Sequence, residues 1–168
     1  MPGFATVPDA TVDGPPSPER EPEMNPKYPK GRQTALMPGN EDRVGYWLTP
    51  PDLMKALDDE FNFDFDACPY PRPGGFDGLV EDWGRRTWCN PPFVGRGSSI
   101  TAWVNKAVKE NEKEKLTVLI LPVDRWLTTL IRANAEMRLP PPFKFLSPNG
   151  SLQKAVRPSV LFILRPKP

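Results

Sequence analysis

Proline limits this chain more than any other residue, because each one fixes φ, removes a backbone donor and disfavours helix in the residue before it. There are 24 prolines among 168 residues, about three times the usual share of roughly 5%. Nine of them fall in residues 1–44, among them Pro15, Pro16, Pro18, Pro22, Pro26 and Pro29, with no apolar periodicity of either kind around them. Such a stretch cannot bury enough apolar surface to offset its ordering entropy. Residues 1–44 are therefore expected to form a disordered Pro-rich arm, and residues 45–168 one domain.

Inside that domain the prolines punctuate a readable pattern. Pro51 and Asp52 suit a helix start, and Leu53, Ala56 and Leu57 follow at i, i+3 and i+4, which predicts a short helix over 52–60. Phe61, Phe63 and Phe65 alternate with Asn62, Asp64 and Asp66, the period of a half-buried strand ending at Asp66-Ala67-Cys68. Pro69, Pro71, Pro73, Gly74 and Gly75 impose a loop, and Arg86-Thr87-Trp88-Cys89 reads as a strand stopped by Pro91-Pro92. After a loop at Val94 to Gly97, Ser98 or Ser99 can cap a helix with Ile100, Trp103, Val104, Ala107 and Val108 on one face. Leu116–Leu121 is apolar but for Thr117, as a strand covered on both faces would be. Asp124 can cap a helix carrying Trp126, Leu127, Leu130 and Ile131, and Val160–Leu164 makes a last strand. Strands alternating with helices give an α/β fold, in which ligands sit beyond the carboxyl ends of the strands.

Several chemistries are excluded by what is missing. The chain has no histidine, so imidazole bases, Ser-His-Asp triads and His-ligated metal sites are ruled out. Cys68 and Cys89, 21 positions apart and the only cysteines, are too few for a four-thiolate zinc site and read as buried thiols of a reducing compartment. No metal is expected. Leu116 to Val123 is far shorter than a membrane span of roughly 20 residues, and Met1 to Ala10 lacks the pattern of a secretion signal. A cytoplasmic location with no membrane partner follows. Net charge is +1 overall, but residues 45–93 carry 4 basic and 9 acidic side chains while residues 94–168 carry 13 and 5. The basic half could meet a polyanion.

Asn90-Pro91-Pro92-Phe93 stands directly after a predicted strand, where an α/β fold wants its site. An amide oxygen and a proline-rigidified carbonyl can accept the two hydrogens of an exocyclic amine, while an aromatic ring stacks on the extruded base. The amine of adenine is a poor nucleophile because its lone pair is delocalised into the ring; two acceptors out of the ring plane localise that pair towards a methyl donor. This is positional and electrostatic catalysis and needs no imidazole. The same acceptors would serve adenine N6, cytosine N4 or adenosine in RNA.

Trp47-Leu48-Thr49-Pro50, Phe63-Asp64-Phe65-Asp66-Ala67-Cys68, Asp77-Gly78-Leu79 with Asp82-Trp83, and Trp88-Cys89-Asn90-Pro91-Pro92-Phe93 follow one another at short spacings, and Leu119-Ile120-Leu121-Pro122 and Ser159-Val160-Leu161-Phe162 complete the series. Together, over Trp47 to Leu164, they resemble the phage-type DNA N6-adenine methyltransferases of the Dam-like family. The resemblance implies a Rossmann-like fold using S-adenosylmethionine to methylate adenine N6 in double-stranded DNA. Asn90, Pro91, Pro92 and Phe93 would be the motif that orients the amine and stacks the flipped base. Asp66 and Ala67 would lie near the methionine part of the cofactor, Thr49 and Pro50 would close over that end, and Asp77, Gly78 and Leu79 would lie near its adenosine.

The chain departs from the wider methyltransferase pattern in lacking a glycine-rich FxGxG after the first strand, where Asp66-Ala67-Cys68-Pro69 stands instead. Too few residues separate that strand from Arg86 for two ordinary strand-helix units, so the sheet should be abridged. No room is left for a separate recognition domain, which implies a short or relaxed target sequence, with homodimerisation as an aid. Gly95-Arg96-Gly97 lacks the GK[ST] of a phosphate loop and reads as a lid. Lys106, Lys109, Lys113 and Lys115 alternate with Glu110, Glu112 and Glu114 as on a solvated helix face. Arg125, Arg132, Lys144, Lys154 and Arg157 have fewer acidic neighbours and include candidates for phosphate contacts. From another class, a nucleic-acid-binding module that has lost its cofactor would explain the missing glycines.

Overall fold

A computed structural model describes residues 47–93, 99–153 and 158–167. The expected arm, the lid Gly95-Arg96-Gly97 with Val94 and Ser98, and the basic residues Lys154 and Arg157 lie outside the described residues.

Helix α1 spans Pro51–Phe61, with Pro51 in its first turn and Leu53, Leu57 and Phe61 buried at four-residue intervals. That spacing carries the helix through Phe61, and Asn62 ends it at φ 51°, a left-handed conformation that asparagine tolerates. The aromatic alternation is thus not one strand. Phe61 closes the helix, Phe63 packs beside it with ring centroids 5.7 Å apart, and strand β1 is only Phe65–Asp66. Local periodicity was the same for both readings; burial of Phe61 on the helix face decided between them.

Strand β2, Arg86–Cys89, pairs parallel with β1 in the register Phe65 to Thr87 and Asp66 to Trp88. Helix α2, Ile100–Asn111, buries Ile100, Trp103, Val104 and Ala107 as its spacing predicts, although the Ser99 hydroxyl makes no capping bond. Strand β3, Leu116–Pro122, runs parallel to β2 and is buried on both faces. Helix α3 is short, Leu127–Arg132, with Trp126 rather than Asp124 at the capping position. Asp124 instead accepts the Arg125 N–H at 2.7 Å, and Ile131 is exposed.

Three short strands were not foreseen: β4 (Glu136–Arg138) and the hairpin pair β5 (Phe145–Leu146) and β6 (Leu152–Gln153). Strand β7, Ser159–Leu164, inserts antiparallel between β3 and β4, giving the order β1-β2-β3-β7-β4. Four of these five strands point the same way and β7 is reversed.

The alternation of side chains along this sheet divides the core in two. Cys89, Leu119, Leu121 and Phe162 pack against α2 and α3, while Trp88, Val118, Ile120, Leu161 and Ile163 pack with Leu53, Leu57 and Phe61 of α1. The protein is therefore a mixed α/β sandwich with helices on both faces of the sheet.

Residues 67–85 connect β1 to β2 without a helix or strand of their own. Close packing compresses them: a Cβ on Gly78 would lie 1.9 Å from the Ala67 carbonyl oxygen, and one on Gly84 would lie 2.2 Å from Asp64 Oδ1. The buried Trp83 indole donates to the Gly78 carbonyl at 2.6 Å. A lysine cluster holds the far end. Lys115 Nζ donates to the Trp83 carbonyl at 2.5 Å, to Asp82 at 3.0 Å and to Glu110 at 2.7 Å.

Glu110 is only 1% exposed and also pairs with Lys106 at 2.9 Å and Lys113 at 3.1 Å. It does not belong to a solvated face, unlike exposed Lys109, Glu112 and Glu114. Burial pushes its carboxyl pKa up, but the hydrogen bonds from Lys115, Lys106 and Lys113 outweigh that and leave it below the ordinary value. Glu110→Gln should cost about 1–3 kcal/mol, because it removes the charged acceptor shared by the part-buried Lys106 and Lys115. Urea unfolding at pH 7 will measure the loss. The deficit should narrow as pH falls through the depressed pKa, where the native Glu110 loses its own charge.

Candidate active site

Parallel pairing brings the carboxyl ends of β1 and β2 together, and the Ala67 N–H extends the ladder to the Trp88 carbonyl at 2.9 Å. Asp66 and Ala67 therefore stand beside Cys89 and Asn90. The connection folds back over the same end: Asp77 Oδ1 accepts the Leu79 N–H at 3.0 Å, and Gly78 lies buried against Ala67 and Trp103. Asp66 and Ala67 are thus brought together with Asp77, Gly78 and Leu79 of the connection. Gly78 is required there because any side chain would strike the Ala67 carbonyl.

Asp66 is half-buried, and its Oδ1 accepts the Cys68 N–H at 2.9 Å. Burial raises its pKa to about 6, against the smaller opposing effect of that hydrogen bond. No cation pairs with it among the described residues. Cys68 is half-buried and Cys89 buried, both as free thiols. Burial pushes the Cys68 thiol up, and the Cys89 thiol and the carboxylates of Asp66 and Asp77 act in the same direction. Neither cysteine is poised as a nucleophile.

Asn90 leaves β2 half-buried, with its Nδ2 donating to the Trp47 carbonyl at 2.5 Å and to Thr49 Oγ1 at 3.1 Å. Its Oδ1 is buried and has no partner among the described residues. Leaving a buried acceptor unsatisfied costs about 1–3 kcal/mol, which an arriving donor can recover. Trp103 Nε1, on the helix that packs against Gly78, and Thr117 Oγ1, at the amino end of β3, are also buried without partners among the described residues. Thr49 thus sits against Asn90, and Pro50 precedes α1 with its carbonyl accepting the Met54 N–H at 2.9 Å.

Pro91 is buried and Pro92 half-buried. Phe93 is half-buried too, and meets Trp47 at 5.7 Å and Phe145 at 6.0 Å with interplanar angles of 70° and 66°. These are edge contacts. Among the described residues no ring lies parallel over Phe93. Phe145 also packs on Phe143 at 4.8 Å, so the hairpin supplies part of this aromatic wall. Leu48 and Leu146 exchange backbone hydrogen bonds of 2.7 and 2.9 Å, tying Trp47 and Thr49 to the hairpin. Sequence reasoning gave no role to the Trp47 carbonyl, to Phe143 or to Phe145. Nothing local signals them, since two-residue strands leave no periodicity to read.

Arg125, just beyond β3, and Lys144, just before β5, are exposed, as is Arg132 at the end of α3. None has a carboxylate partner among the described residues. No group of His, Cys, Asp and Glu there could hold a metal ion, and no helix is long and apolar enough to cross a membrane.

A family model described as DNA N-6-adenine-methyltransferase (Dam) matches residues 39–167. No curated protein and no solved structure matches the chain.

Because Asp66 holds its proton more tightly folded than unfolded, it costs stability progressively as pH rises from the ordinary carboxyl range to about 6, and in full above that. Asp66→Asn keeps the acceptor for Cys68 and removes the buried charge. Its unfolding free energy at pH 7.5 should exceed that of the native protein by about 1–3 kcal/mol. The gain should shrink below pH 6. Thermal unfolding across pH 5–8 measures both effects.

Proposed function

The chain belongs to the DNA N-6-adenine-methyltransferase (Dam) family, and we propose that it methylates N6 of adenine in double-stranded DNA, using S-adenosylmethionine and an abridged Rossmann-like fold. The observation that carries this reading is the buried, unpartnered Asn90 Oδ1 at the end of β2, beside the Asp66 end of β1. An acceptor desolvated in this way suits an incoming hydrogen-bond donor such as an amine N–H.

In this reading the adenine leaves the duplex and its ring lies against Phe93. Asn90 Oδ1 and the Pro91 carbonyl accept its two amine hydrogens, and Pro92 stiffens the turn that aims them. Holding both hydrogens out of the ring plane turns the nitrogen lone pair away from the purine, which makes the amine nucleophilic without a base. The chain lacks histidine, and this chemistry does not call for it.

The residues beside Asn90 suit a cationic cofactor. Asp66 is a desolvated carboxyl with one hydrogen bond and no cation, an environment that favours binding of positive charge. With Ala67 it would hold the methionine part, Asp77, Gly78 and Leu79 would border the adenosine, and Thr49 and Pro50 would approach from the Asn90 side. When bound, S-adenosylmethionine supplies an electrophilic methyl group. Arg125, Arg132 and Lys144 would meet DNA phosphates, as their exposure and lack of acidic partners suit.

Expression in a host without adenine methylation, followed by modification-sensitive sequencing, tests the reading. N6-methyladenine in a short sequence context is expected. Asn90→Ala should lower methylation by about 100-fold or more, as loss of an oriented transition-state contact does, while leaving the fold intact by circular dichroism. Methylated cytosine, or methylation unaffected by Asn90→Ala, would overturn the assignment. Calorimetry adds a second check: affinity for S-adenosylmethionine should fall as pH drops through about 6 and Asp66 becomes neutral.

A further inference from the structure

An asparagine amide has two nearly isosteric ends with opposite hydrogen-bonding character. Only one of them can serve an amine. Here both hydrogens of Asn90 Nδ2 have acceptors, the Trp47 carbonyl at 2.5 Å and Thr49 Oγ1 at 3.1 Å, and Oδ1 is left over. We propose that Trp47 and Thr49 form a clamp on the Asn90 amide in which the Trp47 carbonyl fixes which end faces the substrate amine and Thr49, a positioning residue, holds the second hydrogen, making asparagine, not aspartate, the residue this site requires. The inference rests on the methyl-transfer reading for its functional consequence, but the clamp itself is a property of the free protein.

The argument is one of matched donors and acceptors. Turning the amide over would set Oδ1 against the Trp47 carbonyl, two acceptors at hydrogen-bond distance, and would give up the bond donated there. The Thr49 hydroxyl could turn to donate to Oδ1 and so would not oppose the flip. The flipped state is disfavoured on the order of 100-fold. A carboxylate at position 90 meets the same obstacle. The Thr49 hydroxyl can rotate and donate to it, but the Trp47 carbonyl has no hydrogen to offer and is held in place by the Leu48–Leu146 bridge next to it. Among the described residues Asp66 and Cys68 at the end of β1, Asp77 in the connection and Cys89 on β2 carry no positive charge, and Lys144, just before β5, is exposed. An aspartate at position 90 would therefore satisfy the Trp47 carbonyl only in its protonated form, which donates through one oxygen and keeps the other as acceptor.

Nuclear magnetic resonance on the full chain reads the clamp without activity. The Asn90 side-chain amide pair, assigned by its disappearance in Asn90→Asp, should exchange slowly with solvent. Thr49→Val should speed that exchange by about tenfold, and Thr49→Ser should restore it. Fast exchange in the native protein, or no response to Thr49→Val, would overturn the proposal whether or not the protein methylates DNA. With activity in hand, Thr49→Val should lower kcat about tenfold with KM for DNA unchanged, and Thr49→Ser should recover most of the loss. The activity of Asn90→Asp, as a ratio to the native protein at each pH, should rise as pH falls. A flat ratio, or a fall in KM-based affinity alone in Thr49→Val, would reject the clamp. A native protein that methylates nothing while its amide pair is protected would reject the proposed function and leave the clamp standing.

Discussion

The close approach of the β1–β2 connection to β1 underlies everything else at this site. Gly78 touches the Ala67 carbonyl and Gly84 touches Asp64, in each case nearer than any Cβ would permit. Parallel neighbours ordinarily need a crossover with a helix. Here nineteen residues of turns, 67 to 85, suffice, because the chain lies against the end of β1 at Gly78, where the Trp83 indole holds it, and Lys115 pins its return at the amino end of β2. The result is that Asp66 and Asn90 emerge side by side from adjacent strands.

The two ends of the sheet treat polar groups differently. At the amino ends of β1, β2 and β3 the charged groups are paired: Asp64 accepts the Arg85 and Arg86 N–H groups, and Glu110, Lys115 and Asp82 form one network. Asn111 completes it by donating to the Lys115 and Arg165 carbonyls at 2.9 Å each. At the carboxyl ends, among the described residues, Asp66 has no cation and Asn90 Oδ1 no donor. The asymmetry is one of charge: the amino ends pair their charged side chains, whereas the carboxyl ends leave a carboxyl without a cation beside an amide oxygen without a donor.

How far the fold could be read in advance depended on whether burial or long-range pairing decided each element. The helix over Ile100–Asn111 and the strands at Arg86–Cys89 and Leu116–Pro122 carry their own periodicity, so pattern and structure agree. The alternating phenylalanines were misleading because period two and a helix end followed by a turn place the same residues inside. The lysine-glutamate run could not reveal that Glu110 is the one carboxylate turned inward, since that depends on Lys115 and the connection beyond it. The hairpin β5–β6 exists through pairing with Leu48, nearly a hundred residues away.

By itself the sequence determined the chemistry available: no imidazole, two thiols, an amide followed by two prolines and an aromatic ring at a strand's end. Those are properties of residue type and of short-range spacing, and they need no partner to be defined. Only the tertiary structure decided that the Asn90 amide presents its oxygen, that Thr49 holds its nitrogen, and that Asp66 and Asp77 share one end of the sheet. Orientation and desolvation belong to pairs of distant residues, and a pair has no physical meaning until the chain has folded.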